Sequence, residues 1–157
     1  MTIPIQPQDN RSYRMVPQAP EDAGYYVYGD PGNGFVQFAH PKLMTLIFAV
    51  EREWQATEKR KFGVGDISAA GGPKRSDHDS HRSGLEVDIR PMRKDGHHIG
   101  CRYQDPAYDR EATEKLIKLF RAMASGPLLV FFNDAKIVGV RPLAKHDNHF
   151  HVQVAQP

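Results

Sequence analysis

The sequence predicts an α+β fold: one domain whose mainly antiparallel sheet has helices packed on one face and a cleft of polar side chains on the other. Three observations predict it. The segments 41 to about 60 and 110 to 125 repeat apolar residues at steps of three and four, as amphipathic helices do. LEVDI at 85–89 and HFHVQV at 149–154 alternate apolar and polar residues, as strands with one buried face do. At 157 residues, with 39% hydrophobic and 10% aromatic content, the chain can bury one substantial core and not two ordinary ones. The expected domain is 1–157, with residues 1–24 an irregular arm.

Residues 1–35 are rich in proline and glycine around a short YYVY run at 25–28, which reads as one brief strand in irregular chain. Pro41 suits a first helical turn, and Leu43, Ile47, Val50 and Trp54, with Leu46, form the apolar stripe of the helix that follows. FGVGDISAAGGPKRS at 62–76 reads as a strand running into a glycine-rich loop. In 85–90, Leu85, Val87 and Ile89 face one way and Glu86, Asp88 and Arg90 the other. The turn-rich stretch 91–108 is expected to loop over the surface. Asp109 is the expected cap of the second helix, with Ala112, Leu116, Leu119, Phe120 and Met123 on its apolar face and Gly126-Pro127 as its stop. LLVFF at 128–132 reads as a buried strand, followed by a turn at Asn133-Asp134 and a further strand near 136–140. In the last strand His149, His151 and Gln153 share one face, and Phe150, Val152 and Val154 the other.

A formal charge of +2 with acids and bases interspersed gives no concentrated cationic surface, so nucleic acid is excluded as an expected partner. No run of 18 apolar residues is present, so no integral membrane segment is expected. The single Cys101 excludes an internal disulfide and a multi-thiolate metal site. Cys101, His40, His97 and His98 read as structural or loop residues.

Five of the eight histidines fall in two short clusters: His78 with His81, and His146 with His149 and His151. If LEVDI and HFHVQV share a sheet, Asp88 and the two strand histidines emerge on one side, with His81 on the loop seven residues before Asp88. Two imidazoles and a carboxylate, with one position left for water, are the ligand set of catalytic rather than structural zinc. The fourth group would then be free for proton transfer. Lys74 and Arg75 are candidates for holding an anionic group. Glu86 reads first as an exposed strand residue, and Asp147 as either a partner of a ligand histidine or a turn residue.

HDSHRSGLEVDI at 78–89 together with HDNHFHVQV at 146–154 resembles the paired signatures of the penicillin-insensitive murein endopeptidase family. That family belongs to the LAS superfamily of lysostaphin-type enzymes, D-Ala-D-Ala metallopeptidases and the hedgehog N-terminal domain. YYVYGDPGNGFVQFAHPKLM at 25–44 is also similar to the region ahead of the first helix in these enzymes. By motif position the resemblance implies His81, Asp88 and His151 as ligands of Zn2+, His149 as the uncoordinated catalytic histidine, and His146 and His78 as further histidines lining the substrate site. It implies a hedgehog/DD-peptidase-like fold with a zinc cleft. It also implies hydrolysis of the D-alanyl to meso-diaminopimelyl cross-link between peptidoglycan stem peptides.

The same scaffold serves D,D-carboxypeptidases, L-Ala-D-Glu endopeptidases and non-catalytic zinc-containing modules, any of which could bind the cell wall. Exported members have a signal peptide and several cysteines; here the first residues lack a basic start followed by an apolar stretch. The expectation is a chain made in the cytoplasm that acts in the periplasm or cell wall after release by phage lysis, as an endolysin, or through dedicated secretion, as an effector. A delivered toxin would require a cognate immunity protein.

Overall fold

Residues 7–18, 21–29, 32–76 and 80–156 are described by the computed structural model, and they form two sheets and two helices. In chain order the elements are β1 (Arg14–Met15), β2 (Tyr25–Val27), β3 (Phe38–Ala39), α1 (Pro41–Thr57), β4 (Phe62–Val64), β5 (Glu86–Ile89), α2 (Arg110–Met123), β6 (Leu128–Phe131) and β7 (Phe150–Val154). The class is α+β, as the periodicities predict.

The main sheet has the order β2-β4-β5-β7-β6. It is antiparallel except at β2 and β4, which run parallel. Parallel neighbours need a long crossover, and α1 supplies it. β1 and β3 make a separate antiparallel pair, Arg14 opposite Ala39.

The helix begins where the sequence places it. Pro41 occupies the first turn, where its missing N–H costs nothing, and His40 Nδ1 accepts a 3.0 Å hydrogen bond from the Lys42 amide. It ends at Thr57, short of residue 60, because Glu58 turns extended and its carboxylate accepts hydrogen bonds from the Arg60 amide and guanidinium. Asp109 caps α2 by accepting from the Ala112 amide at 3.0 Å. On α2 the buried face is Ala112, Thr113, Leu116, Ile117 and Phe120, rotated away from Met123, which is exposed. Thr113 is tolerated inside because its hydroxyl accepts from the Met92 amide and donates to the Asp109 carbonyl.

Both helices pack on the sheet face formed by the apolar alternates. Phe120 stands edge-on to Phe62 of β4 and Phe150 of β7, with ring centroids 6.0 and 6.2 Å away, and Trp54 of α1 meets Phe62 at 6.4 Å. The opposite face is left to the polar alternates of β5 and β7.

Three local expectations are corrected. LLVFF is not a fully buried strand: β6 is the sheet edge, with Leu128, Leu129 and Phe131 half-buried and Val130 and Phe132 turned into the core. No strand forms at 136–140; that segment turns, anchored by Asp134, and only Arg141 bridges to Phe131. The stretch 91–108 is irregular but not simply superficial, since Met92, Cys101 and Tyr108 are buried in the core.

The N-terminal segment is tied to the site's scaffold. Asp9 accepts from the Gly71 amide at 2.8 Å, and Arg11 donates to Ser68 Oγ and to the carbonyls of Ala69 and Arg82. These bonds brace both ends of the loop between β4 and β5.

Candidate metal centre

β5 and β7 are in a register that sets Asp88 opposite His151 and Glu86 opposite Gln153. Because strand side chains alternate, all four project from the face away from the helices. His81 arrives from the preceding loop in the left-handed backbone region, φ 63°, a conformation uncommon for a residue with a Cβ. Its amide donates to Glu86 Oε2 at 2.9 Å, which fixes the turn that brings the imidazole over the strand.

His81, Asp88 and His151 converge. One ligand-capable atom from each lies within 4.8 Å of the others, and all three residues are buried. His81 Nε2 and His151 Nδ1 lie 3.2 and 3.1 Å from Asp88 Oδ1. The outward nitrogens are held as well. His81 Nδ1 faces the Ile67 carbonyl at 3.0 Å, and a carbonyl only accepts, so Nδ1 carries a proton and Nε2 is the nitrogen turned to Asp88. His151 Nε2 is 3.3 Å from Glu86 Oε1, so both nitrogens of this ring face carboxylate oxygens. Three electron-pair donors aimed at one point repel unless a cation lies among them. Protons meet that need in part, and a metal ion meets it in full; holding the outer nitrogen of each histidine is the usual support of a metal ligand.

The electrostatics agree. Burial works against the Asp88 charge, but hydrogen bonds from His151 and His81 outweigh it and hold the carboxyl well below the usual carboxylate range. Burial opposes protonation of His151, yet its bonds to Asp88 and Glu86 push it up to about 9. His149 goes the other way: burial lowers its pKa, against the pull of Asp88, so the neutral imidazole is favoured. Its Nε2 is 3.7 Å from Asp88 Oδ1 and its Nδ1 is 2.8 Å from Asn148 Oδ1. His149 therefore lies beside the triad without joining it. His146 packs near its ring, centroids 4.6 Å apart, and its own Nδ1 is tied to the Ala144 carbonyl.

His78 lies outside the described residues. Lys74 is exposed and Arg75 half-buried on the loop before it. One expectation changes, and one pair of alternatives is decided. Glu86 is not an exposed strand residue; it is half-buried and bonded to both the His81 amide and His151. Asp147 partners no ligand histidine: its carboxylate accepts from Gln104 Nε2 and Asn133 Nδ2, joining two loops. The alternation of LEVDI already put Glu86 on the face of Asp88; what the sequence lacked was the register that brings it to His151. Beyond Glu86 the polar face opens into a groove of about 510 Å³ between β5, β7 and β6, with Arg82 and Arg141 on its walls.

The fold and site thus define an α+β protein with a buried His/Asp/His group able to hold a metal ion. Comparison with protein families matches residues 33–117, more than half of the chain, to the penicillin-insensitive murein endopeptidases. The chain belongs to that family, and so to the peptidases that act on peptidoglycan. The matched segment contains His81, Glu86 and Asp88; His149 and His151 come from β7, outside it. No curated protein matches the chain. Among the described residues no helix is long and apolar enough to cross a membrane.

Proposed function

We propose that the protein is a zinc-dependent D,D-endopeptidase that hydrolyses the D-alanyl to meso-diaminopimelyl cross-link between peptidoglycan stem peptides. His81, Asp88 and His151 hold Zn2+ and His149 is the catalytic histidine. The convergence of three ligand atoms within 4.8 Å, in a chain of a murein endopeptidase family, carries this reading.

When bound, the metal supplies Lewis acidity and a nucleophilic water near neutral pH. The chain's own residues do the rest. Asp88 contributes the negative charge of the ligand set, while Ile67 and Glu86 keep both ligand imidazoles in the right tautomer and plane. His149, held at Nδ1 by Asn148, offers Nε2 to take a proton from the attacking water and to return one to the departing amine. In the overall reaction the amide C–N bond breaks, the acyl carbon gains OH and the nitrogen gains H. The groove beside Glu86 and Gln153 takes the length of the peptide, and His146 stands against His149 and His151.

Purified protein should contain close to one zinc and convert cross-linked muropeptide dimers to monomers, read by mass. Ala at His81, Asp88 or His151 should abolish both; His149→Ala should keep the metal and lose turnover. Release of free D-Ala from a monomeric pentapeptide, with dimers untouched, would replace this reading by a carboxypeptidase. Binding without cleavage would replace it by a wall-binding module. The cell wall is the site of action on this reading, reached by phage lysis or by secretion with an immunity protein to protect the producer.

A further inference from the structure

The polar face of the main sheet carries a second built feature at its β2 edge. Tyr26 and Tyr28 lie across β4, which is possible because positions 63 and 65 are glycines. A Cβ on Gly63 would come 2.8 Å from Tyr26 Cζ and Oη, and one on Gly65 would collide with the Tyr28 ring. The two rings therefore reach β5, where Arg90 follows Asp88 on the same face, two residues or ~7 Å along the strand.

The Arg90 guanidinium carbon stands 3.9 Å from the Tyr28 ring centroid and 6.0 Å from that of Tyr26. Its Nη1 donates to the His98 carbonyl at 3.3 Å. The His98 ring in turn lies parallel to Tyr26, centroids 4.0 Å apart at 8°. This stack fixes the plane of the guanidinium, which also hydrogen-bonds the Tyr26 side chain. A cavity of about 350 Å³ opens beside it, with Lys61 and Glu21 at the rim. Arg11, Arg60, Arg93 and Arg110 are each paired with an aspartate. Among the described residues Arg90 has rings and a carbonyl as partners and no carboxylate.

We propose that Arg90, seated on Tyr28 and Tyr26, is a carboxylate-recognition site for the leaving half of the substrate. This rests on the endopeptidase reading and specifies its substrate further. In the D-alanyl to diaminopimelyl link, the carbon that carries the scissile nitrogen also carries a carboxylate. With the scissile carbonyl at the triad, that carboxylate is about one residue away, ~3.5 Å along an extended chain. An arginine two strand positions, ~7 Å, from Asp88 matches that ~3.5 Å plus one hydrogen-bond length of ~3 Å, and its planar fork fits a carboxylate in two parallel hydrogen bonds. The register points the same way. Carried one step past the paired residues, it sets Arg90 opposite His149, so the anion receptor and the group that protonates the departing amine flank the same end of the triad.

The test compares two pairs of ligands: a cross-linked dimer and the stem tripeptide, each as the free acid and as the carboxamide at that one carboxylate. Wild type should show a KM for the acid dimer roughly 10–100-fold below that for the amide, with kcat little changed. Arg90→Gln should raise KM on the acid to the amide's value and lose the discrimination. Arg90→Lys, which keeps charge without the planar fork, should fall between, and serves if the Gln variant does not fold. Independently of turnover, the tripeptide acid should shift the Arg90 Nε–H resonance of the zinc-loaded protein, and the amide should not. Equal affinity for acid and amide in wild type, or undiminished discrimination in Arg90→Gln, overturns the proposal. Retained acid preference in a protein that cleaves no dimer overturns the endopeptidase reading instead and leaves the carboxylate site standing.

Discussion

Glu86 Oε1 lies 3.3 Å from Nε2 of His151, diagonally across the β5–β7 pair, while the same imidazole turns Nδ1 to Asp88. Two carboxylates of one strand thus grip a histidine of the next at both nitrogens. The outer one also accepts from the His81 amide, so a single side chain sets the orientation of two of the three converging residues.

Replacing Glu86 by Ala should therefore weaken zinc affinity about 10–100-fold without emptying the site, because the three proposed ligands remain. Gln, whose carbonyl oxygen still accepts, should recover most of the loss. Competition against a chromophoric chelator measures this. Wild-type affinity in Glu86→Ala would show that the sheet alone orients His151.

Removal of the metal should lower thermal stability in proportion to how far the free zinc concentration exceeds its dissociation constant. A hundredfold excess corresponds to about 2.7 kcal/mol, which is several degrees in Tm for a chain of this size. The same comparison in Asp88→Ala should show no zinc dependence; a persisting shift would place the stabilising ion elsewhere.

Acid should loosen the junction between the helices. Glu58 is pulled down to about 2 by hydrogen bonds from the Arg60 side chain, which also bonds Asp109 at the cap of α2. A folded-state pKa below the unfolded value means stability that is present above about 4.5 and is lost as pH falls toward 2. With partial solvent contact at both groups, the contribution is on the order of 1–2 kcal/mol. Denaturant unfolding at pH 7 and pH 3 should show a smaller difference in Glu58→Gln than in wild type.

Phe120→Ala should cost about 3–5 kcal/mol, the usual range for emptying an aromatic site in a core. Phe120 contacts Phe62 and Phe150, and Phe150 lies between His149 and His151 in sequence. Activity should fall together with stability, and cooling should restore it in part. Full activity at every temperature would show that the site does not depend on this packing.

Alternation in LEVDI and HFHVQV, the cap at Asp109, the proline start of α1 and the pairing of the two histidine clusters were all legible in the sequence. Each is a local consequence of side-chain spacing or backbone chemistry, which a short window contains. Only the tertiary structure decided the register that sets Asp88 opposite His151, and with it the role of Glu86, since a shift of strand pairing changes partners without changing any local pattern. The same holds for β6, whose apolar run reads as buried yet lies at the edge, and for Arg90, whose aromatic seat depends on Gly63 of the neighbouring strand and Gly65 just past its end. Residue type and spacing determined which groups were available for chemistry. The sheet decided which of them meet.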